Sequence, residues 1–163
     1  MNDYEREILR NMQFEAYKNA LRERVNKRFI MQNLKKVKNK PGIRIQLKAN
    51  ANKKNKTFIN IEPVNNRSVY ISYGRTASNK RRQGLGLNIR RFAVNAARNT
   101  KMNLYQQTKN LNRLLTDPNN MPYSGIIMER LGAKLVNRRQ VPRNIGKGSA
   151  NNAIWFFYSS MGS

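Results

Sequence analysis

The sequence predicts a mixed α/β (α+β) fold, in which a central mixed sheet is flanked by helices and preceded by a long N-terminal helical segment. Three observations support this prediction: apolar residues at helical spacing near the amino terminus, three short stretches of alternating hydrophobicity, and a strand, glycine loop and helix in succession at the centre. The 163 residues suffice for one domain with a core and leave little room for a second. We therefore expect a single domain over residues 1–163.

Residues 1–40 form the expected helical segment. Asn2 or Asp3 can provide the N-cap, and the apolar residues that follow recur at the spacing of a helix with one buried face. The pattern predicts a helix from Asp3 to about Lys38, with a break near Asn26 and an end at Pro41. The apolar stripe consists of Ile8, Met12, Ala16 and Ala20, with Tyr17, Leu21 and Val25 beside it.

Residues 43–73 contain three stretches that are rich in β-branched and aromatic residues and are separated by polar turns. In the third stretch, Val69, Ile71 and Tyr73 occupy alternate positions, which favours a strand. Because the connecting turns are short, we expect neighbouring strands to pair antiparallel. The predicted strands are Ile43–Leu47, Thr57–Glu62 and Ser68–Tyr73.

Residues 74–101 are expected to form a basic, glycine-bearing loop followed by a helix. Gly84 and Gly86 stand where the helix begins, and there the first backbone N–H groups are free and the helix dipole is positive. Glycine lets an anion approach this backbone closely, and Arg81 and Arg82 add positive charge. The spacing matches neither a P-loop nor a dinucleotide-binding fingerprint. The stretch therefore predicts a binding site for an anion such as a pyrophosphate.

Residues 102–159 are predicted to complete the sheet. A fifth strand follows the central helix, and a short helix then ends at Gly132. Two further strands close the chain. The predicted elements are the central helix Leu87–Asn99, the strand Met102–Gln107, a helical turn at Asn110–Leu115, the helix Tyr123–Ala133, and the strands Ala133–Asn137 and Ala153–Ser159.

Composition restricts the possible functions. Cysteine and histidine are absent, so we expect no metal site and no nucleophile that is activated by histidine. The 33 Lys plus Arg against 8 Asp plus Glu give a net charge of +25. This imbalance predicts a polyanionic partner, either DNA, RNA or an acidic protein surface, although a solvated surface is the alternative.

The polar, acidic amino terminus differs from a secretory signal, and no apolar run is long enough to span a bilayer, so we expect a location in the cytoplasm, the nucleus or a virion.

The hexapeptide Arg81-Arg82-Gln83-Gly84-Leu85-Gly86 resembles the Arg/Gln-x-x-Gly-x-Gly/Ala signature of the Gcn5-related N-acetyltransferase (GNAT) superfamily. In that family the loop joins the fourth strand to a long helix and binds the pyrophosphate of acetyl-CoA. The segment 126–133 looks like the family's closing motif, a helix that ends in Leu-Gly-Ala. The wider Ser-Gly-x-Ile-Met-x-x-Leu-Gly-Ala pattern is similar to acetyltransferase-like proteins of large DNA viruses. One difference is that the family begins with a strand, whereas this chain begins in a helix.

The resemblance implies that acetyl-CoA is the cofactor. Its pantetheine arm would pair with backbone groups at the end of the fourth strand, and its pyrophosphate would meet the glycine loop and the first helical amide. The cofactor-binding residues implied in this way are Gly74, Arg75, Thr76, Arg81, Arg82, Gln83, Gly84, Leu85, Gly86 and Leu87.

The candidate catalytic residues are Glu62 and Tyr70. Tyr70 stands near the position at which many family members carry a carboxylate base on the fourth strand. Glu62 could act as the base instead, or it could pair with one of the many cations. The family's proton-donating tyrosine is replaced by Met128, which has no proton to give, so we expect any acetyl transfer to be slow.

Two hypotheses of different class follow. The first is a GNAT-like protein that binds acetyl-CoA and transfers the acetyl group to an amine, with weak activity. The second is a catalytically inactive, GNAT-like basic structural protein, either a virion component or a nucleic-acid-binding protein. The intact glycine loop favours the first hypothesis, whereas Met128 and the net charge of +25 favour the second. The cationic surface argues against a basic peptide as the acceptor.

Overall fold

The computed structural model describes residues 2–25, 27–37, 40–50, 57–75, 84–109, 123–143, 145 and 153–159. Its strands are β1 (Phe29–Val37), β2 (Lys40–Leu47), β3 (Phe58–Asn65), β4 (Ser68–Arg75), β5 (Asn103–Lys109), β6 (Lys134–Val136) and β7 (Ala153–Tyr158). Its helices are α1 (Asp3–Arg24), α2 (Leu85–Thr100) and α3 (Tyr123–Arg130). None of these helices has the length and hydrophobicity needed to cross a membrane.

The seven strands form one mixed sheet in the order β1-β2-β3-β4-β5-β7-β6. Strands β1 to β4 form the predicted antiparallel meander, which gains β1 as an additional edge strand. The chain then crosses over through α2 to β5, which pairs parallel with β4. Parallel pairing of two consecutive strands requires such a crossover connection. Strand β7 lies between β5 and β6 and is antiparallel to both. The predicted fold class, a mixed sheet flanked by helices with a helix at the amino terminus, is confirmed.

Helix α1 is shorter than predicted. It begins after Asn2, whose side chain accepts a hydrogen bond of 2.8 Å from the backbone N–H of Glu5, and it ends at Arg24. The predicted continuation to Lys38 is wrong, because Phe29–Val37 forms strand β1. The apolar residues of Phe29–Val37 form too short a run for their spacing to distinguish a helix from a strand. Hydrogen bonding to β2 decides the outcome, which is a tertiary effect that local propensity does not contain.

The other predicted strands and helices are present with shifted boundaries. Three boundaries shift by three residues: β2 begins at Lys40 rather than at Ile43, β3 ends at Asn65 rather than at Glu62, and α3 ends at Arg130 rather than at Ala133. Helix α2 begins at Leu85, two positions before the predicted start at Leu87. Gly132 follows α3 with a positive φ of 97°, as expected for a glycine that ends a helix. The helical turn predicted at Asn110–Leu115 lies outside the described residues.

Buried apolar side chains lie on both faces of the sheet and form two clusters. On the face that carries α1 and α2, which we call the helix-side face, the hydroxyl of Tyr17 donates a hydrogen bond of 3.0 Å to the carbonyl of Ala93 and ties the two helices together. This cluster includes Phe14, Leu21, Ile61, Ile71, Leu104, Met128 and Phe156. On the opposite face, the cluster consists of Val64, Tyr70, Tyr105, Val141, Ile145 and Trp155.

Candidate active site

Strands β4 and β5 pair with each other over only part of their length. Their parallel register runs up to Ile71↔Gln106, whereas β4 continues to Arg75 and β5 continues to Lys109. Beyond that point β4 remains paired with β3, and β5 remains paired with β7. The described residues therefore form no ladder between the carboxyl ends of these two parallel strands, and we call this opening the β4–β5 cleft. Openings at the carboxyl ends of parallel strands are frequent ligand sites in α/β proteins.

Helix α2 is the next described element after β4 in the chain, and its amino terminus adjoins this cleft. Gly84 precedes the helix with a φ of 73°, a left-handed conformation that favours glycine. The first hydrogen bond of the helix runs from the N–H of Asn88 to the carbonyl of Gly84 at 3.0 Å. Helix geometry therefore leaves the amides of Leu85, Gly86 and Leu87 without an acceptor inside the helix. These amides and the helix dipole make the start of α2 a favourable position for an anion.

On the helix-side face, the guanidinium of Arg90 spans the two strands where they separate. Arg90 is buried, and its Nε donates a hydrogen bond of 2.9 Å to Oε1 of Gln106 on β5. Its Nη1 lies 3.4 Å from the carbonyl oxygen of Gly86 on α2. A methyl group added to Gly74 on β4 would lie 2.8 Å from Nη2 of Arg90. Arg90 thus places a fixed positive charge at the base of the cleft, next to the start of α2.

On the opposite face, a second polar bridge joins the same two strands. The hydroxyl of Tyr70 on β4 donates a hydrogen bond of 2.7 Å to Oε1 of Gln107 on β5. Burial raises the pKa of Tyr70 to about 12, with a smaller contribution in the same direction from the negative charge of Glu62 and an opposing one from Arg138. The phenol is therefore protonated throughout the neutral range, so it can donate a proton or a hydrogen bond but cannot accept a proton.

Arg138 fixes the segment that covers the opposite face. Its guanidinium donates hydrogen bonds to three backbone carbonyls of residues 141–145, at 3.2 Å, 3.1 Å and 2.9 Å. It also lies over the ring of Trp155, 5.3 Å from the ring centroid, and Trp155 in turn contacts Tyr70 at 5.9 Å between centroids. The half-buried arginine therefore holds residues 138–143 and 145 beside the Tyr70 bridge.

The predicted cofactor-binding residues fall into two groups. Gly74 and Arg75 are the last two residues of β4, and Gly84 to Leu87 form the start of α2. Arg90 connects these groups, because its side chain contacts both Gly74 and Gly86. The structure thus brings the strand end and the helix start together at the β4–β5 cleft. Thr76, Arg81, Arg82 and Gln83 lie outside the described residues.

The three residues considered for acid–base chemistry lie on different faces of the sheet. Glu62 is half-buried and is the cross-strand partner of Tyr70, so both side chains lie on the opposite face. Met128 is fully buried in the cluster of the helix-side face. The thioether of Met128 therefore serves packing, and it cannot replace a proton-donating tyrosine.

Sequence reasoning did not identify Arg90, Gln106, Gln107 or Arg138 as site residues. Arg90 carried a usable signal, because it lies four positions after Gly86 and three before Ala93, on the buried stripe of α2. A cation at such a position must be solvated by the protein, which suggests a polar site. Gln106, Gln107 and Arg138 carried no such signal, since their roles depend on the register of β5 and on the path of the chain after β6.

Comparison with known proteins gives one structural neighbour to report. The crystal structure of nourseothricin acetyltransferase is similar with a TM-score of 0.47 and 16% sequence identity, and the match covers 74% of this chain and 65% of that chain. The present chain thus spans less than two thirds of the length of that protein. No protein-family model and no curated protein matches the chain.

Proposed function

We propose that this protein binds an acyl-CoA, specifically acetyl-CoA, in the β4–β5 cleft and transfers the acyl group to an amine. The proposal depends above all on one observation: β4 and β5 stop pairing at Ile71↔Gln106, and α2 begins at the open end with free amides. An extended ligand with an anionic group fits this arrangement, because the separated strand offers backbone groups and the helix start offers positive dipole. The resemblance of residues 81–86 to the GNAT signature supports the same ligand.

The residues at the cleft fit the parts of such a ligand. The amides of Leu85, Gly86 and Leu87 would hold the pyrophosphate, together with Arg81, Arg82 and Gln83 from the preceding loop. Backbone groups of Gly74, Arg75 and Thr76 would pair with the pantetheine arm. A methyl group added to Gly84 would meet none of the described residues within 4 Å, so these residues leave space open beside the N-cap of α2.

Acetyl-CoA supplies an activated acyl group, and the protein's own contribution is to position the reactants and to handle protons. A backbone amide of the separated strand would stabilise the negative charge that develops on the carbonyl oxygen. Glu62 is the candidate base on the opposite face. Tyr70, with a pKa of about 12, is suited to hydrogen-bond donation rather than to proton abstraction. A neutral amine can attack with little acid–base help, so we expect transfer that is slow compared with a typical enzyme.

A second candidate function is that of a catalytically inactive, basic protein that binds nucleic acid or forms part of a virion. Two observations favour it: Met128 is fully buried where the resemblance implies a proton donor, and the chain carries a net charge of +25. Under this reading the cleft would be a remnant of an ancestral cofactor site. The two candidates differ in whether the protein binds acetyl-CoA.

Calorimetric titration with acetyl-CoA at low salt distinguishes these candidates. We expect binding by the parent protein and its loss in Leu87→Asp, because a carboxylate at the start of α2 would repel the pyrophosphate. Aspartate in the first turn of a helix is favourable for stability, so the loss of binding should not come from unfolding. The matched control is Leu135→Asp on β6, where the leucine is already exposed. The absence of acetyl-CoA binding by the parent would leave the structural role as the better reading.

A further inference from the structure

We propose that Arg90 stabilises the thiolate that leaves when the acyl group is transferred, in place of the tyrosine whose position in the GNAT resemblance is occupied by Met128. This inference rests on the proposed function and assigns a residue to one step of it. The starting observation is that the guanidinium lies between Gly74 on β4 and Gln106 on β5, where the two strands have separated. It therefore adjoins the path that an extended ligand in the β4–β5 cleft must follow.

The position of Arg90 is fixed by its surroundings. Nε is held at 2.9 Å by Gln106, and the side chain packs so closely against Gly74 that even a methyl group there would lie 2.8 Å from Nη2. Arg90 is 7% exposed, so little water is available to screen its charge. Such a fixed cation in a dry site stabilises a nearby anion more effectively than a mobile surface lysine does.

The chemistry of the transfer explains why a cation is needed on the helix-side face. Transfer forms a bond between the amine nitrogen and the acyl carbon and breaks the carbon–sulfur bond, whose electron pair stays on sulfur. The amine gives its proton to water or to the candidate base Glu62, so the sulfur leaves as a thiolate unless an acid protonates it. Met128, on the same face, has no proton to donate, and the hydroxyl of Tyr70 lies on the opposite face in a hydrogen bond to Gln107. Arg90 can stabilise the thiolate by charge alone.

If Arg90 stabilises the thiolate, the effect can be measured in the pH dependence of CoA binding, without acyl transfer. An ordinary thiol has a pKa of about 8.5, and an adjacent cation lowers this value. The affinity of the protein for free CoA should therefore increase as the pH rises toward the pKa of the free thiol. Desulfo-CoA, which lacks the thiol, should show no such increase. Each unit by which the thiol pKa is lowered corresponds to an about tenfold gain in affinity.

Other titratable groups against α2 do not produce this signature. Among the described residues, the hydroxyl of Tyr17 on α1 bonds to Ala93, and Tyr158 on β7 accepts a hydrogen bond from Arg98. Burial raises the pKa of Tyr17 above its ordinary value, so this phenol stays protonated over the range to be scanned. Any titration of the protein itself would also affect CoA and desulfo-CoA alike, so it cancels in the ratio of their affinities.

The experiment is a calorimetric titration of the parent and its variants with CoA and with desulfo-CoA from pH 6.5 to 9. We expect the ratio of the two affinities to rise about tenfold in the parent, to stay flat in Arg90→Met, and to retain part of the rise in Arg90→Lys. Arg91→Met is the matched control, because it removes an exposed cation from the adjacent position of α2. It should behave like the parent.

Gly74→Ala provides a second route if Arg90→Met fails to fold. Its methyl group would displace the guanidinium without removing the charge from the protein, and it should reduce the rise in the affinity ratio. A parent that binds both ligands with the same pH dependence overturns the role of Arg90 and leaves the proposed function standing. A parent that binds neither ligand overturns the proposed function, and this inference with it.

Discussion

The two faces of the sheet differ sharply at the point where β4 and β5 separate. On the helix-side face, which carries α1 and α2, the polar bridge between the strands is a buried cation, Arg90 of α2, bonded to Gln106. On the opposite face, the bridge is the neutral phenol of Tyr70, bonded to Gln107 beside the carboxylate of Glu62. Among the described residues, Val141 and Ile145 rather than an α-helix pack against the aromatic cluster of this bridge.

The difference suggests a division of labour within the proposed site. A positive helix terminus and a fixed cation suit the anionic, sulfur-bearing ligand. A carboxylate and a protonated phenol suit the amine that would attack from the other side. The two adjacent glutamines of β5 make this possible, because neighbouring residues of a strand point to opposite faces. Three predictions test how far the two faces are independent.

The largest expected effect concerns nucleic acid. Arg139 and Arg143 are exposed on the segment that covers the opposite face, whereas α1 carries most of the acidic residues: Asp3, Glu5, Glu7, Glu15 and Glu23. We therefore expect duplex DNA to bind the opposite face. With six to ten phosphate contacts, affinity should fall by about 10³–10⁵-fold between 50 and 200 mM salt.

Fluorescence anisotropy over this salt range measures the effect. Replacing both Arg139 and Arg143 with alanine should reduce the slope of log affinity against log salt by about 2. The matched control replaces Arg22 and Arg24, two exposed cations at the end of α1, and changes the net charge equally. Equal loss in both variants would contradict binding at one face, and a slope near zero in the parent would contradict polyanion binding altogether.

The second prediction compares the packing of the two faces. Trp155 and Phe156 are adjacent in β7, are both almost fully buried, and belong to the clusters of the opposite face and the helix-side face respectively. Replacing either with alanine should lower the free energy of unfolding by about 3–5 kcal/mol. The indole N–H of Trp155 has no hydrogen-bond acceptor among the described residues, so the effect reflects packing and the contact with the Arg138 guanidinium rather than a lost hydrogen bond.

Urea denaturation provides the measurement for both variants. A loss below about 1 kcal/mol for Trp155→Ala would mean that the aromatic cluster of the opposite face is not a second core. In that case residues 138–145 would cover it too loosely to form a defined wall of the site.

The smallest expected effect is the contribution of Tyr70 to the pH dependence of the free energy of unfolding. Its pKa is about 12 in the folded protein and near 10 in the unfolded chain, so the unfolded state loses this proton first as the pH rises. The stability that Tyr70 contributes is therefore complete below pH 10 and is lost between about pH 10 and pH 12, by up to about 3 kcal/mol. Tyr70→Phe should remove this part of the alkaline loss in urea titrations at several pH values. An unchanged pH profile would show that the phenol is not shielded as the structure indicates.

Several features of the protein follow from local sequence alone. The strand that contains Val69 and Ile71, the glycine loop at Gly84, and the amphipathic helix after it were predicted because hydrophobic periodicity and glycine spacing are properties of a few neighbouring residues. The predicted anion position at the start of α2 has the same origin, since free amides occur at every helix start.

Tertiary structure decided the features that depend on pairing between distant segments. Phe29–Val37 became a strand because β2 supplied hydrogen-bond partners, although the local pattern also allowed a helix. The register of β5 against β4 and β7 opened the cleft and placed Gln106 and Gln107 on opposite faces. Burial of Arg90 between the strands, like burial of Met128 in the core, then followed from where those strands separate, because a side chain's environment is set by its neighbours in space.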